Sequence, residues 1–242
     1  MELPGFKACS GNSAWEGISA PPLSADWIPS GGQGLSHGTC TGRRPRKGSK
    51  TMTMKERLME LILQHAFRYS DTPAFKLVHG GLSKFYFNCK SVTLDPEGQV
   101  LIGNLIYRAV RDLKIDAVGG LTLGADPMAN ATAYTSWLEK DPIQCFVVRK
   151  KAKDHGTASL IEGKVKAGNR VVVLDDVITT GGSTLQAVAA CRSAGLQVVK
   201  AVVLVDRQEM DGRQNILKEV PELEALVTRD EIFERFSRKK NQ

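Results

Sequence analysis

The stretch VVVLDDVITTGGS, Val171 to Ser183, constrains this chain more than any other. Val171–Leu174 reads as a strand buried on both faces, because a half-exposed strand would alternate with polar residues. The run then meets two adjacent carboxylates, two threonines, two glycines and a serine. A plain strand-to-helix turn needs one capping Asp and one Gly. Ser183–Ala194 continues at helical spacing and is closed by Gly195. A helix N-terminus offers free N–H groups and the positive end of the helix dipole, and glycine lets a ligand approach the backbone. Thr179, Thr180, Gly181, Gly182 and Ser183 therefore read as a phosphate cradle. Asp175 and Asp176 would repel that phosphate. They suit polyol hydroxyls or a divalent cation such as Mg²⁺. A phosphate contact and hydroxyl contacts a few residues apart describe a sugar phosphate. The sequence has no GxxxxGK[ST], so this is not a Walker A loop.

The surrounding pattern supplies a fold. Thr53 and Glu56 have capping-box spacing, and Leu58, Leu61, Ile62 and His65 follow at helical intervals. Ala74–Leu77 and Lys84–Cys89 flank His79-Gly80-Gly81 and predict a β-hairpin. Gly98–Leu113 predicts a helix. Strands at Ala117–Leu123, Ile143–Arg149, Val171–Leu174 and Val198–Val205 then alternate with helices at Pro127–Glu139 and Ser183–Ala194. This is an α/β chain with a doubly wound, mostly parallel sheet flanked by helices. Ligands of such sheets bind beyond the carboxyl ends of the strands.

Residues 1–53 differ. They hold nine of the 23 glycines and five of the ten prolines, without apolar periodicity. They end in Arg43, Arg44, Arg46, Lys47 and Lys50. We expect this segment to be disordered or a non-native extension ahead of a start at Met52 or Met54, with an organelle transit peptide as the second reading. Residues 54–242 form the expected domain. The formal net charge of +7 calls for an anionic partner. The tail's six basic and three acidic side chains account for +3 of it, leaving +4 for the domain. No aromatics interleave with the basic run, which argues against nucleic acid. Five scattered cysteines without a CxxC pair fit a reducing, cytoplasmic setting. No run of 18 apolar residues predicts a membrane span.

Two further strand ends carry chemistry. Arg149-Lys150-Lys151-Ala152-Lys153-Asp154-His155-Gly156 follows an apolar strand. Its clustered cations and histidine repel one another unless an anion joins them, so it reads as a lid that closes over an anion. Asp206-Arg207-Gln208-Glu209 ends the last predicted strand.

Together these segments resemble the phosphoribosyltransferases, whose donor is phosphoribosyl diphosphate (PRPP). VVVLDDVITTGGS matches that family's donor-binding pattern at every position. The lid and the DRQE segment are similar to those of the orotate phosphoribosyltransferases, and the likeness covers about Met54 to Phe236. It implies a phosphoribosyltransferase fold with a small hood from the N-terminal helix and hairpin. It also implies transfer of ribosyl-5-phosphate from PRPP to orotate in pyrimidine nucleotide synthesis. Donor binding falls to Arg149, Lys150, Lys153, His155, Asp175, Asp176, Val177, Ile178, Thr179, Thr180, Gly181, Gly182 and Ser183. Lys153 and Asp176 are the implied catalytic residues. Thr179, Arg207, Tyr86 and Phe87 are the implied orotate contacts, with Arg207 reading the carboxylate by a bidentate pair. Mg²⁺ is implied as a cofactor held through PRPP rather than by protein ligands, and the enzyme is implied to be a homodimer whose lids reach the neighbouring site. Two departures stand out. Val78 and Gly124 occupy places where many members carry lysine, and Lys90 or Lys84 are the candidates to replace that charge. The alternatives are a purine-type phosphoribosyltransferase and a PRPP-sensing regulator that binds nucleic acid.

Overall fold

The structure is a computed structural model that describes residues 52–77, 80–151 and 159–240. Helix α1 (Met54–Leu61) starts with the capping box of Thr53 and Glu56 and continues as a π turn over Ile62–Ala66. Four short strands follow: β1 (Phe67–Tyr69), β2 (Phe75–Lys76), β3 (Leu82–Ser83) and β4 (Phe85–Phe87). The predicted hairpin is present, but with a different return. β2 pairs with β3, while β4 pairs with β1, a strand the sequence pattern does not reveal. The pairing changes at Lys84 because the Ser83 hydroxyl turns inward. It donates to Glu209 Oε1 at 2.8 Å and accepts the Phe85 N–H at 3.0 Å.

Helices α2 (Lys90–Thr93) and α3 (Pro96–Val110) come next. Asp95 caps α3 by accepting the Gly98 N–H at 2.8 Å, so this helix starts two residues earlier than its apolar spacing suggests. The main layer is then β5 (Ala117–Leu121), α4 (Asp126–Leu138), β6 (Gln144–Val148), β7 (Ile161–Gly163), β8 (Arg170–Ile178), α5 (Gly182–Ser193), β9 (Gln197–Asp206), α6 (Gly212–Leu217), β10 (Leu223–Thr228) and α7 (Arg229–Lys240).

The sheet order is β10-β9-β8-β5-β6-β7, parallel throughout except for β7 against β6. The chain leaves β5 toward β6 and leaves β8 toward β9, in opposite directions. That divergence opens a crevice at the carboxyl ends of β5 and β8, where doubly wound sheets hold ligands. Val172 and Leu174 pack with α1, α3 and α4 residues such as Leu58, Ile102 and Met128. Val171 and Val173 pack with Ala187, Val188 and Ile216 on the other face. The expected α/β class with a mostly parallel sheet is the observed one. β8 extends past Leu174 through both carboxylates to Ile178, with Asp175 opposite Val203 and Ile178 opposite Asp206.

The last helix fastens the hood. Phe233 and Phe236 of α7 meet Tyr69 with centroids 5.0 and 5.7 Å away, and Phe233 meets Phe85 at 5.4 Å. On the other side, Arg235 and Lys239 both pair with the nearly buried Glu60 of α1. Burial works to raise the Glu60 carboxyl, but the two cations outweigh it and hold it below the ordinary range. A depressed carboxyl stabilises the fold above its unfolded pKa, and that contribution disappears as pH falls through the folded value. Glu60→Gln should therefore lower stability by about 1–3 kcal/mol at neutral pH, with the difference from wild type shrinking on acidification. Thermal melts of both proteins across the acid range measure this.

Candidate active site

The crevice contains a cavity of about 310 Å³ whose lining includes Asp176, Val177, Thr179, Thr180, Gly181, Gly182 and Ser183. Phe75, Lys76, Leu77, Phe85, Tyr86, Phe87 and Arg207 complete it. A phosphate-sized floor lies at the start of α5. Gly181 has φ +81°, a left-handed conformation that β-carbon-bearing residues avoid, and an added Cβ would lie 2.9 Å from Ile216 Cγ1. The turn is also tied from below, because Asn215 Nδ2 donates to the Thr180 carbonyl at 3.2 Å. Gly182 and Ser183 are exposed, and a Cβ on Gly182 would approach nothing nearer than Thr180 Oγ1 at 3.6 Å. The helix N-terminus is thus open to an anion.

The two carboxylates lie on opposite sides of β8, as successive residues of a strand must. Asp175 is buried against α5. Its Oδ2 accepts the Thr184 hydroxyl at 2.7 Å and its Oδ1 accepts the Asp176 N–H at 3.1 Å. Burial pushes its carboxyl up to about 6, opposed by these hydrogen bonds. Asp176 faces the hood side. Its Oδ2 is 3.2 Å from Lys90 Nζ at the start of α2, and a Cβ on Gly124 would be 2.6 Å from its Oδ1. Asp176 lines the cavity and Asp175 does not.

Arg207 is 8% exposed and closes the other end. Its Nη2 donates to the Phe85 carbonyl at 3.1 Å and lies 2.8 Å from Glu209 Oε2. Its carbon Cζ sits 6.0 Å from the Phe87 ring centroid, and its Nε has no hydrogen-bond partner. A buried guanidinium with an unused donor on a cavity wall is suited to a planar anion. Tyr86, 44% exposed, stacks on Phe75 with centroids 5.6 Å apart.

Of the lid, Arg149, Lys150 and Lys151 are described. Lys153 and His155 lie outside the described residues. β7, unseen in the sequence pattern, pairs antiparallel with β6 and closes the base of the lid, with the Arg149 N–H donating to the Leu160 carbonyl at 2.8 Å. Arg149 Nη1 is 3.3 Å from Glu162 Oε1, and neither Arg149 nor Lys150 lines the cavity. In the loop after β5, the Thr122 and Ala125 N–H groups are already bonded to the carbonyls of Val148 and Leu121. The cavity wall also holds a cation that the sequence reading does not single out. It is Lys76, in β2. Lys84 is exposed and outside this lining.

A larger cavity of about 660 Å³ lies beside α6 and β10. Its lining sets Asp206, Glu209, Asp211, Glu222 and Glu224 against Arg213, the wrong sign for a phosphorylated ligand. Among the described residues there is no cluster of three or more His, Cys, Asp or Glu able to hold a metal ion. No helix among them is long and apolar enough to cross a membrane.

Residues 90–239 match the model of the phosphoribosyl transferase domain. The chain is 48% identical over 182 residues to an orotate phosphoribosyltransferase of Aquifex aeolicus, covering 75% of this chain and 99% of that one. It is 45% identical over 159 residues to one from Rhodopseudomonas palustris, covering 64% and 83%. Among solved structures, the orotate phosphoribosyltransferase of Mycobacterium tuberculosis in complex with PRPP aligns with TM-score 0.59 and 30% identity, covering 74% of this chain and 91% of that one. The same enzyme with Fe(III) dicitrate aligns with TM-score 0.63 and 33% identity, covering 74% and 98%.

The geometry of Asp175 predicts a pH signature. Its folded pKa lies above the ordinary value of 3.8, so between roughly pH 4 and pH 6 the folded state binds more protons than the unfolded state. Its contribution to stability is complete at low pH and falls as pH rises through the folded value. Asp175→Asn, which keeps an acceptor for Thr184, should gain on wild type by about 2–3 kcal/mol between pH 4 and pH 7. Chemical denaturation of both proteins at these two pH values measures the change.

Proposed function

This chain belongs to the orotate phosphoribosyltransferase family, and on that premise we propose how its cavity transfers ribosyl-5-phosphate from PRPP to orotate. The carrying observation is the pairing of an open phosphate cradle at α5 with a buried arginine across one cavity. Thr179 to Ser183 hold the 5′-phosphate by backbone N–H groups and hydroxyls. Asp176 accepts the ribose hydroxyls. Asp175 acts from behind, fixing α5 through Thr184. Arg207 pairs with the orotate carboxylate, and Tyr86, Phe87 and Thr179 border the ring. In the reaction the C1′–O bond to diphosphate breaks with its electron pair going to oxygen. The N1–C1′ bond forms, and the N1 proton passes to the departing diphosphate or to solvent. The transition state carries positive charge on the ribose, facing Asp176, and negative charge on diphosphate. Lys153, with Arg149, Lys150 and His155, stabilises the latter when the lid closes.

Asp176 already pairs with Lys90, and the described residues offer no set of protein ligands. Mg²⁺ would be held mainly by oxygens of PRPP, as this ion commonly is. Bound there, it neutralises charge developing on diphosphate. The three described cysteines are free, which suits a cytoplasmic enzyme.

We further propose that the enzyme is a homodimer that shares its lids. The base of the lid lies at the β7 edge of the sheet, and its described cations do not line this chain's own cavity. On α4, Tyr134 and Trp137 are 68% and 69% exposed and lie three residues apart, on one face of the helix. Adjacent exposed aromatics mark an interaction surface.

Purified protein given orotate, PRPP and Mg²⁺ should form orotidine 5′-monophosphate and diphosphate. Arg207→Lys should raise the KM for orotate by about 10-fold or more and leave the KM for PRPP unchanged. Equal weakening of both substrates would remove Arg207 as the carboxylate reader. Trp137→Glu should shift the protein from dimer to monomer in light scattering. A dimer of unchanged affinity would exclude this α4 face from the interface.

A further inference from the structure

The transition state places negative charge on the diphosphate, yet the loop that follows β5 carries no cation in Leu121–Ala125. At its centre Gly124 sits close under Asp176, where a Cβ would fall 2.6 Å from Oδ1. Two of the loop's backbone donors, at Thr122 and Ala125, are occupied within the fold. A cation does reach this place from another element. Lys90, the first residue of α2, sets its Nζ 3.2 Å from the other oxygen of the same carboxylate. Its side chain is 47% exposed, whereas that of Asp176 is 8% exposed. An ammonium group has three donors. One meets Asp176, leaving the others for a ligand on the open side.

We propose that Lys90 is a catalytic residue of the transfer, contacting the diphosphate beside Gly124 and stabilising its charge as the C1′–O bond breaks. The proposal rests on the reading of the site given above. The contact with Asp176 gives Lys90 a second effect. The carboxylate that faces the positive ribose and the ammonium that faces the negative leaving group hold each other in place across the bond that breaks. Both charges are thus oriented before substrate arrives, which is the condition for electrostatic stabilisation without reorganisation.

The test uses Lys90→Gln, Lys90→Arg and Lys90→Gln combined with Asp176→Asn, each checked for an unchanged melting profile. Lys90→Gln should lower kcat by about 10²-fold with little change in the KM for orotate, and Lys90→Arg should restore most of it. In calorimetry, inorganic diphosphate should bind Lys90→Gln about 10-fold more weakly, while ribose 5-phosphate binds as to wild type. Wild-type turnover in Lys90→Gln, or equal weakening of both ligands, overturns the assignment. So does a loss that vanishes in the Asp176→Asn background, because Lys90 would then only balance the buried carboxylate. If wild type fails to convert orotate and PRPP, the functional reading falls instead, and the diphosphate titration still decides the role of Lys90.

Discussion

The side-chain alternation of β8 governs the geometry of the site. The strand does not stop before its carboxylates but carries them inside the sheet, where neighbours must face opposite ways. Asp175 turns to α5 and locks Thr184, and with it the start of that helix, whose N-terminus is open. Asp176 turns to the hood, where Lys90 and Gly124 meet it. One strand therefore sends one carboxylate to α5 and its neighbour into the cavity. The carboxylates are held by the backbone pairing of β8 with β9, so their positions are as rigid as the core.

The acceptor end is built differently. Arg207 leaves the end of β9 and is steadied by a carbonyl of β4, by Glu209 and by the Phe87 ring. Glu209 is itself held by the Ser83 hydroxyl, and Arg229 at the head of α7 lies over the Phe85 ring, its Cζ 5.2 Å from the centroid. Arg207 is thus held by contacts from several separate parts of the chain. A guanidinium kept buried with a free donor is poised for an anion, because leaving such a group unpaired is unfavourable. The donor side relies on one strand and one helix, the acceptor side on contacts between distant parts of the chain.

This difference explains what is legible in the sequence. VVVLDDVITTGGS announces its function because a phosphate cradle needs consecutive residues. Arg207 is legible only through the likeness of Asp206-Arg207-Gln208-Glu209 to the family's segment. The extension of β8 is not, since Asp disfavours strands and its partner Thr184 lies nine residues on, in another element. β7 escapes because three residues, Ile161-Glu162-Gly163, carry no measurable period. The change of partner between β3 and β4 escapes because Ser83 is drawn inward by Glu209, 126 residues away. Lys90 appears only as one of two candidates, for the same reason. Its significance depends on which carboxylate it faces, and that is a property of the folded chain.

The clasp of α7 on the hood also sets an order of assembly. On the ribosome, β5, β8 and α5 emerge while α7 is still unmade, so the donor half can settle first. The aromatic wall around Phe85 gains its brace from Arg229, Phe233 and Phe236 only once α7 has been made. A nascent chain therefore passes through a stage in which it has the parts to hold a sugar phosphate and lacks a firm seat for the acceptor.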